Sequence, residues 1–271
     1  ASVLGEGGLD PTFVIGGQLL AAGANARLGQ GQWLVAEADE SDGSFLRLNP
    51  LIAVITNIDA DHLENYDNDF AKVQAAFGEF LHRLPFYGLA VLCIDDEEVA
   101  RLAAEMPRHT MTYGFSAEAD VRAEDVSQTG ARMRFTLCLP DGSRTPVTLA
   151  LPGRHNAQNA AFAYATARVL GVPPDAAVAG LLSFPGLAHR MEAVGRLGPV
   201  RFINDSKATN ADAARQALSS YPSVFWIAGG RAKDGGIDDL ADLFPRIARA
   251  YLIGEAADAF AAALGDTPHQ I

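Results

Sequence analysis

Along the first half of the chain, apolar runs rich in β-branched residues alternate with stretches whose apolar positions recur at helical spacing. Residues 33–36, 51–56 and 89–94 read as strands, and 70–81 reads as a helix placed before the last of them. That alternation predicts parallel strands covered by helices. From 120 to 151 the texture changes to short alternating segments, 132–139 and 145–151. They are split by the turn Pro140, Asp141, Gly142, Ser143, which predicts an antiparallel hairpin appended to the sheet. An Ala-rich helix follows over 156–170, ended by Gly171 and the prolines at 173 and 174, and a second helix covers 175–183. Phe184, Pro185, Gly186 and Leu187 mark a boundary. Beyond it, strands at 200–203, 224–228 and 251–253 alternate with helices at 211–219, near Leu240 and at 256–264. A doubly wound domain normally has five or six strands, so three predict a partial one. The pattern gives an α/β fold in two domains, 1–186 and 187–271.

Composition narrows the partners. With 33 acidic against 21 basic residues the formal charge is -12, and no basic patch offsets it, which argues against nucleic acid and anionic membrane. The 49% apolar content is ample for a core, yet nowhere do about 18 apolar residues run together, so no spanning helix is expected. The start, from Ala1 to Glu6, lacks the basic and apolar segments of a signal peptide. Cys93 and Cys138 each sit in an apolar run, as buried thiols of a cytoplasmic protein would.

The candidate chemistry begins at EADESD, residues 37–42, four carboxylates in six positions after a strand. Ligands of parallel α/β sheets collect beyond the carboxyl ends of strands. The strand over 51–56 also ends in polar residues, Asn57 to His62. If the two strands are neighbours, Glu37 and the Asp61–His62 pair face one crevice. Oxygen ligands with one imidazole suit Mg²⁺ or Mn²⁺ that already holds phosphate oxygens. The other meaning of the run is a solvated acidic loop capping the next helix. At the start of the Ala-rich helix, Asn156 and Asn159 share a face and can meet a purine edge, although Asn156 also suits an N-cap. Arg190 can pair with Glu192 or Asp205, and Asp205–Ser206 can cap the helix at 211.

These stretches together resemble the Mur ligase family, ATP-dependent enzymes that add amino acids to UDP-N-acetylmuramoyl substrates in peptidoglycan synthesis. GLDPTFVIGG (8–17), EADESDGSFL (37–46), TNIDADHLENY (56–66) and LPFYG (84–88) are similar to the alanine-adding branch. FPGLAHR (184–190), NDSKATN (204–210) and GGRAKDGG (229–236) are similar to the D-glutamate-adding branch. The resemblance implies a central ATPase-like domain and a partial Rossmann-like C-terminal domain, with a junction of two ligases near 151–156. It implies Glu37 and His62 as Mg²⁺ ligands and Asn156 and Asn159 at the adenine. Arg190, Asp205, Lys207 and Lys233 would face ATP phosphates and ribose, with Glu37, His62, Arg190 and Lys207 counted as catalytic. The implied reaction runs through an acyl phosphate that the amino acid then displaces. No lysine follows a glycine anywhere in the 271 residues, so the family's phosphate loop, GxxxxGK[ST], is not among them. These residues alone are therefore expected to fold without ligating. A nonenzymatic scaffold of ligase fragments and a metal-dependent hydrolase using Asp61–His62 are the other readings. An unpaired edge of the partial sheet is expected to favour homodimers.

Overall fold

The computed structural model describes residues 1–19, 23–107, 109–129, 132–231 and 236–271. The chain opens with helix α1 (Ser2–Glu6), then strands β1 (Thr12–Leu19), β2 (Ala24–Arg27) and β3 (Leu34–Ala36). These three make a small sheet in the order β2-β1-β3, antiparallel on one side of β1 and parallel on the other. Next come β4 (Ile52–Ile55), α2 (Phe70–His82), β5 (Leu89–Cys93), α3 (Glu97–Glu105), β6 (His109–Gly114), β7 (Val121–Thr129), β8 (Arg132–Cys138) and β9 (Arg144–Leu149). They form a six-stranded sheet in chain order, parallel from β4 to β7 and antiparallel from β7 to β9. The antiparallel part is three strands, not a two-stranded hairpin. β7 escapes the pattern because its second half, ending Asp125–Thr129, is polar and mostly exposed.

Helices form where caps and periodicity agree. Asp69 accepts from the Ala71 N–H at 2.9 Å and starts α2, which buries Val73, Ala76, Phe80 and Leu81 on one face. Helix α4 (Arg154–Val169) turns a face of Ala157, Ala160, Ala161, Tyr164 and Ala165 to the sheet, where small side chains allow close approach. Helix α5 (Pro174–Leu182) packs beside it. One apolar cluster joins α1, α4 and α5 to one side of the six-stranded sheet, and a second joins α2 and α3 to the other.

The second unit departs from the expected alternation. β10 (Glu192–Leu197) and β11 (Val200–Asn204) form a separate antiparallel ribbon, so the strand read at 200–203 does not belong to the parallel sheet. α6 (Ala211–Ser219) follows, then β12 (Val224–Gly229), a 3₁₀ turn over Asp238–Arg246 where a helix near Leu240 was expected, β13 (Ile247–Ile253), α7 (Ala257–Leu264) and β14 (His269–Gln270). Pro245 lies inside that turn and has no N–H to extend it as an α-helix. The parallel sheet runs β12-β13-β14 around its own apolar cluster, which includes Leu218, Leu240 and Leu252. Gly229 is required at the end of β12: its φ is +152°, and a Cβ there would stand 1.8 Å from the Ile253 carbonyl oxygen. Among the described residues no helix is long and apolar enough to cross a membrane.

Candidate functional site

Strands β3 and β4 lie in different sheets, so they are not the hydrogen-bonded neighbours that the sequence suggested. Their tips still converge, through the loops that follow them. Tyr66 donates its hydroxyl to the Glu40 carbonyl at 2.5 Å, and the Asn65 amide donates to the Ser41 carbonyl at 2.8 Å. The acidic run is thereby tied to the 3₁₀ turn Leu63–Tyr66 that follows His62.

Within EADESD the carboxylates divide by role. Asp39 accepts from the Ser41 N–H at 2.9 Å and Asp42 from the Ser44 N–H at 2.8 Å, and these bonds hold both carboxyls below the usual range. Both therefore tie the loop to itself, whereas the capping expected of the run is not seen: the following turn over Ser44–Arg47 has Gly43 at its N-cap and no side-chain cap bond. Glu37 instead faces away from its own loop. Its backbone N–H bonds the Val14 carbonyl at 3.0 Å, and its carboxylate accepts the Gly16 N–H at 2.5 Å. The side chain of Lys207, from the second unit, reaches the carbonyl of that same Gly16, with Nζ 3.4 Å from the oxygen. One glycine residue thus stands between the candidate metal ligand and the candidate phosphate-binding cation.

His62 adopts a left-handed backbone, φ 55° and ψ 30°. Its ring lies 3.9 Å from an Asp61 oxygen and 3.7 Å from a Glu64 oxygen, and it helps lower the Asp39 carboxyl through space. Asp59, whose side chain is exposed, has its carboxyl pushed up, first by partial desolvation and then by the charges of Asp212, Asp96 and Asp61, against the Asn57 amide that bonds it. Among the described residues no three His, Cys, Asp or Glu side chains gather closely enough to hold a metal ion. A carboxylate and an imidazole, the donor types of Glu37 and His62, suit a divalent ion that brings phosphate and water ligands with it, not a caged one.

At the head of α4 the N-cap position is Gly153, and the Asn156 amide donates back to the Pro152 carbonyl at 2.6 Å, so Asn156 is not the cap. Asn159, one turn on, is exposed. Around them Gln158 donates to Asp95 at 2.6 Å, and Asp95 also accepts the Phe115 and Ser116 N–H groups at 2.8 and 2.9 Å. Arg154 lies over the Phe115 ring, 3.9 Å from its centroid. His155 is kept toward its neutral form by burial, partly opposed by a hydrogen bond with Gln216 of the second unit and by Asp205.

In the second unit, Arg190 is exposed and pairs with neither Glu192 nor Asp205. Glu192 instead accepts the His189 N–H at 2.8 Å, and Asp205 accepts the Met191 N–H at 2.9 Å. Asp205 does not cap α6. Asn210 does, accepting from the Ala213 N–H at 2.8 Å. Lys233 lies outside the described residues. The pattern missed Gly16, Asp95, Gln158 and Asn210. Of these only Asn210 carried a local sign, an amide directly before a helical run.

Comparison with known proteins places this geometry. Residues 21–167 match the Mur ligase middle domain, and residues 189–270 match the Mur ligase, glutamate ligase domain. The UDP-N-acetylmuramate--L-alanine ligase of Xanthomonas campestris pv. campestris (strain B100) is 73% identical over 210 residues, 76% of this chain and 44% of that protein. That of Xanthomonas oryzae pv. oryzae (strain PXO99A) is 71% identical over the same length. The chain thus spans less than half the length of these relatives. Among solved structures, the UDP-N-acetylmuramate-alanine ligase MurC from Thermotoga maritima covers 99% of this chain, with 61% of its own length matched, at TM-score 0.80 and 23% identity. MurF from the same organism, in complex with ADP, reaches 0.76 at 19% identity, with 99% of this chain and 65% of its own covered. A 210-residue match to an alanine-adding enzyme must run well past residue 155, so the reading of two ligases joined near 151–156 is not supported. The middle-domain match alone spans more than half of the sequence, and the chain belongs to the Mur ligase family.

Proposed function

We propose that these residues form the metal- and nucleotide-facing crevice of a ligase that uses ATP to join an amino acid to a UDP-N-acetylmuramoyl substrate in peptidoglycan synthesis. L-alanine is the amino acid favoured by the relatives that are 71–73% identical. The observation that carries the reading is the convergence at Gly16, with the Glu37 carboxylate on its N–H and the Lys207 ammonium on its carbonyl. Mg²⁺-bound ATP supplies the phosphoryl group that activates a carboxylate. Phosphoryl transfer depends on positioning and charge neutralisation, and the chain's residues divide that work.

Glu37 and His62 offer one oxygen and one nitrogen donor to the ion. Lys207 and Arg190 present cations from the second unit to the phosphates, with Asp205 holding the backbone beside Arg190 through the Met191 N–H. Asn159 is the amide open to the adenine, because Asn156 is engaged with Pro152. Lys233 is assigned to the phosphates by resemblance alone. No lysine follows a glycine in the sequence, so these 271 residues bind nucleotide without completing ligation. The reading places the work in the cytoplasm, in keeping with the two unpaired cysteines.

Calorimetric titration with Mg²⁺-ATP tests the reading. The expected result is a single-site heat that weakens about tenfold in Asn159→Ala, which corresponds to about 1.4 kcal/mol. Absence of heat from the unsubstituted chain contradicts it and favours a scaffold. Phosphate release without an amino acid acceptor would favour a hydrolase.

A further inference from the structure

Two hydrogen bonds reach the first unit from the loop over 204–210. The second of them, from Asn210, goes to Asp61, whose Oδ2 lies 3.3 Å from the amide nitrogen. The same amide uses its oxygen to accept the Ala213 N–H at 2.8 Å and so caps α6. One planar group therefore fixes the start of a helix in one unit and touches a carboxylate in the other. Its two functions share a single rotamer, because turning the amide to improve one bond breaks the other.

The contact does not stop at Asp61. The other oxygen of that carboxylate accepts the His62 N–H at 3.0 Å, and His62 sits in the left-handed region at φ 55°. A β-carbon makes that conformation costly, and such residues persist only where the surroundings hold them. Asp61 supplies part of that hold, and Asn210 orients Asp61. A continuous line of bonds thus runs from the Ala213 N–H through Asn210 and Asp61 to the backbone of His62. Neighbouring charge makes the amide's identity matter: Asp59 and Asp61 lie on one side and Asp212 in the first turn of α6 on the other, so a neutral donor is tolerated where a further carboxylate is not.

We propose that Asn210 is a positioning residue, which orders the His62 loop through Asp61 only when the second unit is docked against the first. The consequence for nucleotide binding rests on the function proposed above; the coupling itself does not. Docking and the presentation of the imidazole become one event, so the ion's donor set is complete only in the docked arrangement.

The test uses the full chain and an exchange of donor and acceptor. Asn210→Asp keeps a helix cap but replaces the donor by a charge facing Asp61. Asn210→Ser keeps a cap without the reach. In ¹⁵N-labelled protein, both variants are expected to leave the amide signals of residues 214–218 in place while shifting those of Asp61 and His62. In Asn210→Asp, the affinity for ATP with Mg²⁺ is expected to fall about tenfold, and the affinity without Mg²⁺ to stay the same. Combining Asn210→Asp with Asp61→Asn restores a donor opposite an acceptor and is expected to recover both the signals and the Mg²⁺-dependent affinity. A purely structural role for Asn210 would not be rescued by that exchange. Unmoved Asp61 and His62 signals in both single variants, or a double variant no better than Asn210→Asp alone, overturn the proposal. If the unsubstituted chain binds no Mg²⁺-ATP, the nucleotide reading fails, and the signal shifts and their rescue still decide the coupling.

Discussion

Replacing Phe45 by alanine removes the side chain on which the acidic loop is anchored. Phe45 follows that loop in the 3₁₀ turn Ser44–Arg47, is 2% exposed, and has its ring centroid 5.4 Å from that of Phe77 and 5.1 Å from that of Phe80. Burying a phenylalanine removes about 150–250 Å² from water, worth about 4–6 kcal/mol at roughly 25 cal/mol per Å². The unfolded chain already shields roughly 10–40% of that area, which brings the figure to about 3–5 kcal/mol, the usual range for Phe→Ala in a core. Phe77 is only partly buried and can lean into the space, so the lower end, about 3 kcal/mol, is expected here. The assay is urea unfolding in a Trp226→Phe background, which leaves Trp33, just before β3, as the sole fluorescent tryptophan. With a slope of roughly 1–3 kcal/mol per molar, the midpoint falls by about 1 M or more. Phe86→Ala, at a site 82% exposed, is the control and shifts stability by less than about 0.5 kcal/mol. A loss below about 1 kcal/mol for Phe45→Ala would refute the assignment of this ring as the anchor of the loop.

Other consequences concern charge, backbone and assembly. Asp59→Asn should raise the melting temperature at pH 7 slightly: partial desolvation and three like charges push the folded carboxyl up, so its ionised form penalises the fold, and the penalty fades as pH falls through that raised value. The gap between variant and parent should close by about pH 4, the ordinary range of an aspartate, and a gap that widens on acidification contradicts the cause given. Gly229→Ala should cost the second unit more than about 2 kcal/mol, seen as early loss of the Trp226 transition while that of Trp33 persists, because a Cβ meets the Ile253 carbonyl. Equal melting of parent and variant would show that β12 ends differently. The edge of β12, with Phe225 65% and Ile227 71% exposed beside it, should drive self-association in sedimentation velocity, and a sharp monomer boundary across a hundredfold concentration range would count against it.

Legibility followed the range of the forces. α2 and α4 announced themselves because their apolar faces recur within the element, at Val73, Ala76 and Phe80 and at Ala157, Ala160, Ala161 and Tyr164. β10 gave no sign, since five of its six residues are exposed and nothing in its own sequence needs burial. The parallel pairing of β12 with β13 was readable as alternation, whereas the removal of β11 to a separate ribbon was not. The same division holds at the site. Glu37 and His62 stand out by residue type and by their place after strands. Their loops are joined by Tyr66 and Asn65 across 24–26 residues of sequence, and such a contact has no local signature. The sequence offers Asp205–Ser206 as the cap of α6, whereas the cap is Asn210, a local sign passed over, and the bond from Asn210 to Asp61, 149 residues away, is visible only in three dimensions.

The central claim is that Glu37, His62 and Lys207 face one divalent ion with its nucleotide. Paramagnetic broadening tests it most directly, with Mn²⁺ added below stoichiometry to the ¹⁵N-labelled chain in the presence and absence of ADP. With ADP, the amide signals of residues 37–39, 61–63 and 205–208 should broaden together, and without it they should be little affected, since on the proposed reading Glu37 and His62 leave most of the ion's positions to the nucleotide and water. Broadening confined to one of these segments, or equal broadening with and without nucleotide, would contradict the account.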